Sequence, residues 1–263
     1  MDLGSLGVVH LPGLTDYAAA LEWQRALAAA RADGALAHDL LLLLQHPPVI
    51  TLGRGSHDEN VVADREALRA RGVEVFDVER GGDVTYHGPG QLVGYPILDL
   101  EGHRKDLHWY LRRVEEALIR ACGELEIAAT RSPGYTGVWV DAAPPRKIAS
   151  IGVHVARWVT RHGFALNVTT DLSAFDLIIP CGIPQVRMTS VERETDRSPD
   201  WNAVADAVTD AFGAAFGLRP QTVAADSLPV PLPLPAAPRR VGEPPHTADD
   251  VSAGTSPAKP TAR

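Results

Sequence analysis

Cysteine is nearly absent: the 263 residues include only Cys122 and Cys181. Two thiols so far apart give neither a disulfide framework nor metal-ligand spacing. A disulfide-stapled secreted domain is excluded, and a reducing cytoplasm is the expected compartment. Long hydrophobic runs are missing as well. The longest, the leucines at 40–44, falls far short of the roughly 20 apolar residues a membrane-spanning helix needs, and no basic region precedes an apolar stretch at the amino terminus. Neither secretion nor a membrane anchor is expected. Positive charge is in deficit, with 25 Lys and Arg against 33 Asp and Glu and a formal net charge of -8. Phosphate binding needs a basic surface, so nucleic acid is not the expected partner. Lysine is scarcest among the cations, occurring only as Lys105, Lys147 and Lys259. One inside a motif therefore stands out, although codon bias alone could produce the same scarcity.

The chain has a 45% hydrophobic content, enough for a substantial core. Ten of its 21 prolines fall in residues 220–263, which show no helical or alternating apolar period and read as a disordered proline-rich tail that buries no core. Four basic residues there cancel four acidic ones, which leaves the net charge on one expected domain at 1–219.

Three stretches have a helical period. In 106–125, Leu107, Tyr110, Leu111, Val114, Leu118, Cys122 and Leu125 share one face. An alanine-rich helix is expected at 15–31, and another at 199–216 with Ser198 as N-cap and Pro199 in its first turn. Strands are expected at 39–44, 73–78, 84–87, 92–98, 137–140, 148–155 and 163–168. Several consecutive strands lie between the first two helices and again between the last two. This order predicts an α+β fold with a mixed β-sheet flanked by helices.

Three segments carry the candidate chemistry. Arg80-Gly81-Gly82-Asp83-Val84-Thr85-Tyr86-His87-Gly88-Pro89-Gly90-Gln91 combines paired glycines, which let backbone approach a ligand, with a tight turn able to hold side chains at a pocket mouth. A plain glycine-rich hairpin fits the same residues. In Arg146-Lys147-Ile148-Ala149-Ser150-Ile151-Gly152-Val153, strand alternation puts Lys147, Ala149 and Ile151 on one face. A lysine on an apolar face is desolvated and suited to proton exchange, whereas one at a strand edge beside Arg146 simply reaches water. In Ile179-Pro180-Cys181-Gly182-Ile183-Pro184 a cysteine sits between proline and glycine, where a thiol is exposed and rigidly aimed; Cys122, on a helix stripe, reads as a buried structural thiol. A free thiol with its pKa of about 8.5 needs a nearby cation to react at neutral pH, and Lys147, His87 and His154 are all candidates to supply it.

Together these segments resemble the lipoyl(octanoyl) transferase family. Its blocks stand here in order: Arg80 to Gln91, Lys147-Ile148-Ala149-Ser150-Ile151-Gly152, Gly163-Phe164-Ala165-Leu166-Asn167-Val168 and Pro180-Cys181-Gly182-Ile183. An upstream Gln45-His46-Pro47-Pro48-Val49-Ile50-Thr51-Leu52-Gly53 stretch fits too, so the likeness covers roughly residues 5–218. It implies a fold like the catalytic domain of biotin and lipoate ligases, with Cys181 as nucleophile and Lys147 as acid/base partner. It further implies that substrate is bound by Arg80, Gly81, Gly82, Asp83, Val84, Thr85, Tyr86 and His87, by Ser150, Ile151 and Gly152, and by Gly163, Phe164 and Ala165.

The implied reaction moves octanoate from octanoyl-acyl carrier protein to a lysine of lipoyl domains, those of 2-oxoacid dehydrogenase complexes and the glycine cleavage H protein. It would run in a cytoplasmic monomer without ATP, metal or other cofactor. Because such partners are usually acidic, docking needs a local basic patch; Arg112, Arg113 and Arg120, or Arg157 and Arg161, are candidates, although a solvated charged face explains them equally. Two rival readings remain: an ATP-dependent lipoate or biotin ligase, for which Cys181 would have no use, and a non-catalytic lipoyl-domain or acyl-binding protein.

Overall fold

The computed structural model describes residues 4–183 and 186–232. Its strands are β1 (Gly4–Leu14), β2 (Asp39–Gln45), β3 (Val49–Leu52), β4 (Glu74–Asp77), β5 (Val84–His87), β6 (Gln91–Ile97), β7 (Ala129–Ser132), β8 (Tyr135–Val140), β9 (Arg146–Ala156), β10 (Val159–Asn167), β11 (Arg187–Met188) and β12 (Leu218–Thr222). The helices are α1 (Tyr17–Ala32), α2 (Arg65–Ala70), α3 (Leu107–Glu124), α4 (Val191–Thr195) and α5 (Trp201–Phe216). None of the described helices is long and apolar enough to cross a membrane.

The three long helices begin where an aspartate caps them. Asp16 accepts from the Ala19 N–H, Asp106 from Trp109 and Asp200 from Asn202. Asp200 thus takes the place expected of Ser198, and α5 starts two residues later than the sequence suggests. A carboxylate at the N-cap both accepts an orphan N–H and opposes the positive end of the helix dipole.

Among the described residues the strands form a nine-stranded sheet in the order β12-β1-β2-β6-β10-β9-β8-β7, with β11 paired to β9, and a small sheet β4-β3-β5. Pairing is parallel for β12 with β1, β1 with β2 and β11 with β9, and antiparallel from β2 through β7. The expected α+β fold with a mixed sheet flanked by helices is what is observed. The leucines of β2 show how its faces are filled. Leu41 and Leu43 join α3 and α5 in one core cluster, while Leu40, Leu42 and Leu44 pack with Trp23 and Leu27 of α1 in another. Residues alternate across a strand, so a run buried on both sides must be apolar throughout. Tyr17, Ala18 and Leu21 of α1 also pack on Val49, Phe76 and Val78, joining the small sheet to the large one.

Described structure continues past the boundary expected at 219/220. Residues 218–222 form the edge strand β12, with Pro220 opposite Leu6, a place where a missing N–H is tolerated. Beyond it Val223, Leu228, Val230 and Leu232 pack on the α1 cluster, and the Trp23 indole N–H donates to the Val230 carbonyl at 2.9 Å. Proline content misled because these apolar residues gain burial only through contacts with a helix some 200 positions earlier. The rest of the expected tail, 233–263, lies outside the described residues.

Candidate active site

Between the large sheet and the small one, beneath α1, lies a cavity of about 200 Å³. Alternation along β5 points Thr85 and His87 into it, whereas Val84 and Tyr86 turn the other way into the core of the small sheet. Arg80, Gly82 and Asp83 line it from the preceding loop, Ser150, Ile151 and Gly152 from β9, and Gly163, Phe164 and Ala165 from β10. Gly81 does not line it but fastens the loop to β9 by donating to the Val153 carbonyl at 2.8 Å. Of the expected binding residues, then, Gly81, Val84 and Tyr86 support the site without facing it. Sequence reasoning missed Tyr17, Tyr95, Tyr135, Thr136, His162 and Ile183, which also line the cavity. Tyr17 and Tyr95 sit in patterns that read simply as core, and no local signal distinguishes them.

Arg80 is buried, and its guanidinium donates to the Thr51 carbonyl at 2.7 Å, to the Thr51 hydroxyl and to the Gly81 carbonyl. Burial lowers its pKa, opposed by the nearby Tyr17, Cys181 and Asp83. His87 is held by Gln91, whose Oε1 accepts from Nδ1 at 2.8 Å and whose amide donates to Tyr86 O and Asn167 Oδ1. The tautomer that this acceptor requires leaves Nε2 as an acceptor. Burial, with the neighbouring His46 and Arg80, pulls the His87 pKa down to about 3. A neutral imidazole cannot supply the cation that Cys181 requires.

Lys147 can. Its Nζ lies 3.0 Å from Cys181 Sγ and 5.5 Å from the centroid of the Trp139 ring, in a side chain only 1% exposed. Between the exposed and the desolvated readings of this lysine, the structure selects the desolvated one. It does so through an irregularity that strict alternation overlooks. Val138 pairs with Ala149 but the next residue, Trp139, pairs with Lys147, so β9 carries an extra residue at 148. Such a bulge resets the facing of the strand. Ile148 and Ala149, adjacent in sequence, both enter the main core, so strict alternation does not hold at this point of β9. The backbone of Lys147 is gripped on its other side by β11, where Met188 pairs with it and the Thr189 N–H donates to its carbonyl at 2.9 Å.

Cys181 sits in a tight turn with φ 57° and ψ 21°, followed by Gly182 at φ 62°. The left-handed conformation costs a non-glycine residue roughly 1–2 kcal/mol, and such outliers persist only where the surroundings enforce them. The turn leaves the thiol half-buried at the cavity wall. Cys122, by contrast, is buried in the core, and burial pushes its thiol up to about 12.

The arginines expected to form a docking patch are mostly balanced by acids of this chain. Arg112 pairs with Glu115 at 2.6 Å, Arg120 with Glu116 at 2.9 Å, Arg157 with Asp33 at 2.7 Å and Arg161 with Glu79 at 2.6 Å, while Arg113 lies over the Trp109 ring.

A mixed sheet flanked by helices, with a cavity between the two sheets and a lysine–cysteine pair beside it, is the architecture of a lipoate-ligase-type catalytic domain. Residues 16–213 match the family model described as lipoyl protein ligase A/B catalytic domain, and the chain belongs to that family. Its curated relatives include the octanoyltransferase of Koribacter versatilis, 49% identical over 85% of this chain and 90% of that protein. The octanoyltransferase of Acidobacterium capsulatum is 51% identical over 81% of this chain and 90% of that protein. Among solved structures the fold is similar to lipoate-protein ligase A bound with ATP, with a TM-score of 0.69, 17% identity and coverage of 85% of this chain and 89% of that one. It is also similar to a bi-partite lipoate protein ligase from Thermoplasma acidophilum, with a TM-score of 0.63, 17% identity and coverage of 84% and 87%.

Proposed function

We propose that this protein is an octanoyltransferase that carries the acyl group on Cys181. The observation that bears most weight is the 3.0 Å approach of Lys147 Nζ to Cys181 Sγ at the cavity wall. An enzyme that activates a free acid with ATP has no use for a thiol there, so the pair favours transfer between thioesters.

In the first half-reaction Lys147 takes the Cys181 thiol proton, and Sγ attacks the carbonyl carbon of octanoyl-acyl carrier protein. The S–C bond to the enzyme forms, the bond to the carrier sulfur breaks, and the carrier thiolate takes the proton back from Lys147. In the second, the ε-amine of a lipoyl-domain lysine attacks the acyl-enzyme and loses a proton to neutral Lys147, and Cys181 leaves and is reprotonated. The acceptors are the lipoyl domains of 2-oxoacid dehydrogenase complexes and the glycine cleavage H protein. Exchange of one thioester for another is nearly balanced, and amide formation drives the sequence without ATP. Burying the acyl chain contributes about 0.8 kcal/mol per CH₂, hence roughly 5 kcal/mol for an octanoyl tail. The enzyme works in the cytoplasm.

Intact-protein mass measured after mixing with octanoyl carrier protein, without ATP, tests this. One hydroxylamine-sensitive octanoyl adduct on Cys181 is expected. An adduct on Cys122, or one that forms only with ATP, overturns the transferase reading.

A further inference from the structure

We infer that Asn60 is a positioning residue that clasps the Cys181 turn to the Arg80–Asp83 loop and so aims the thiol at Lys147. The inference rests on the reading of Cys181 as nucleophile. Asn60 ends a short 3₁₀ turn (Asp58–Asn60) and is absent from the cavity wall. Its backbone carbonyl accepts from the Ile179 N–H at 2.7 Å, two residues before the cysteine. Next to it the Val62 and Ala63 N–H groups both donate to the Leu177 carbonyl, so the strand-like approach to the turn is laid along residues 60–63.

The Asn60 side chain works in the other direction. Its amide donates to Asp83 Oδ2 at 2.6 Å, and Asp83 Oδ1 accepts from the Val84 N–H at 2.7 Å, which fixes the carboxylate at the head of β5. That carboxylate packs on the turn itself. A Cβ placed on Gly182 would collide with Asp83 Oδ2 and lie 3.4 Å from Asn60 Nδ2. Asn60 therefore holds the chain entering the turn with its backbone, and with its side chain holds the group against which the exit packs. Cys181 lies between, in a backbone conformation that needs outside enforcement. Charge matters as well as shape. With its oxygens occupied by two N–H donors, Asp83 is kept from swinging toward Cys181, where a carboxylate would repel the thiolate that Lys147 stabilises.

Asn60→Ala removes the amide but keeps the carbonyl that binds Ile179, so the fold is retained. It is expected to lower kcat for octanoyl transfer about tenfold, the size of one hydrogen bond to a charged group, with KM for the octanoyl carrier unchanged. Iodoacetamide alkylation of Cys181 at pH 7 slows in parallel, a readout that needs no acyl donor and so stays decisive even if the transferase reading fails. Asn60→Asp sets two carboxylates against each other and is expected to be worse. Adding Asp83→Asn to Asn60→Asp restores an amide–carboxylate pair in reverse, and the double variant is expected to exceed Asn60→Asp in both assays. Unchanged or faster alkylation in Asn60→Ala, a loss confined to KM, or a double variant no better than Asn60→Asp overturns the inference.

Discussion

Lys147 and Cys181 are 34 residues apart in the chain, yet Nζ and Sγ are 3.0 Å apart in space. Two jobs are open to such a lysine. A fixed positive charge would stabilise the thiolate, and arginine could replace it in part. A proton shuttle could not be replaced, because a guanidinium with a pKa above 12 does not accept the proton of an attacking amine. We expect the shuttle. In Lys147→Arg, Cys181 should still react with iodoacetamide at neutral pH while octanoyl transfer to the lipoyl domain falls on the order of 10² or more. Near-normal transfer would leave Lys147 an electrostatic aid only, and a thermal melt checks that the bulkier side chain is accommodated.

Gly137 makes room for that lysine. It has φ 131°, and a Cβ there would lie 2.8 Å from both Lys147 Cε and the Ala149 carbonyl. The Lys147 stem or the pairing of β8 with β9 has to shift if the position is filled. Gly137→Ala is therefore expected to cost about 1–3 kcal/mol of stability and to slow Cys181 alkylation. A variant with wild-type melting temperature and alkylation rate would show that the strand absorbs the methyl group freely.

Truncation distinguishes the two parts of the proline-rich segment. A chain ending at Leu232 keeps β12 and the Val230 acceptor for Trp23, and its Tm and turnover should match those of the full chain. A chain ending at Arg219 loses most of β12 and the partly buried Val223, Leu228, Val230 and Leu232. It should melt lower by roughly 10 °C, corresponding to a loss of about 3 kcal/mol. Equal melting temperatures for the two truncations would mean that the α1 cluster does not depend on these contacts.

Acid should weaken the fold through buried histidines. Burial lowers the pKa of His46 and His162 from 6.5 to about 4, and burial with the neighbouring His46 and Arg80 lowers that of His87 to about 3. Below pH 6.5 the unfolded chain takes up protons that the folded one refuses, so stability drops as pH falls from about 6.5 toward 4, by up to about 1.4 kcal/mol per pH unit for each imidazole. Above pH 6.5 these groups contribute no slope. Melting curves from pH 7.5 to 5 should show Tm falling, and His46→Gln, which cannot protonate, should make the fall shallower. A Tm that is flat over this range would count against the neutral buried state.

Much of the site was legible in the sequence because its chemistry is local. A cysteine between Pro180 and Gly182, a rare lysine opening a β-rich run and a glycine-rich loop leading to His87 all announce themselves by residue type and immediate neighbours. Helices α1, α3 and α5 were legible for a similar reason: their apolar stripes repeat at the helical period. Strands β1 and β12 were not. Gly4, Gly7, Pro12 and Gly13 interrupt the first and Pro220 the second; β1 gains its pairing from β2 and β12 on its two sides, and β12 gains its own from β1. The same applies within the site. Sequence alone determined which residue types stand in the candidate motifs, a thiol between Pro180 and Gly182 and a rare lysine at 147. Tertiary structure alone decided that Lys147 Nζ comes within 3.0 Å of Cys181 Sγ across the fold and that burial keeps the His87 imidazole uncharged. Both effects depend on what packs against a residue across the fold, and neither is written in its neighbours along the chain.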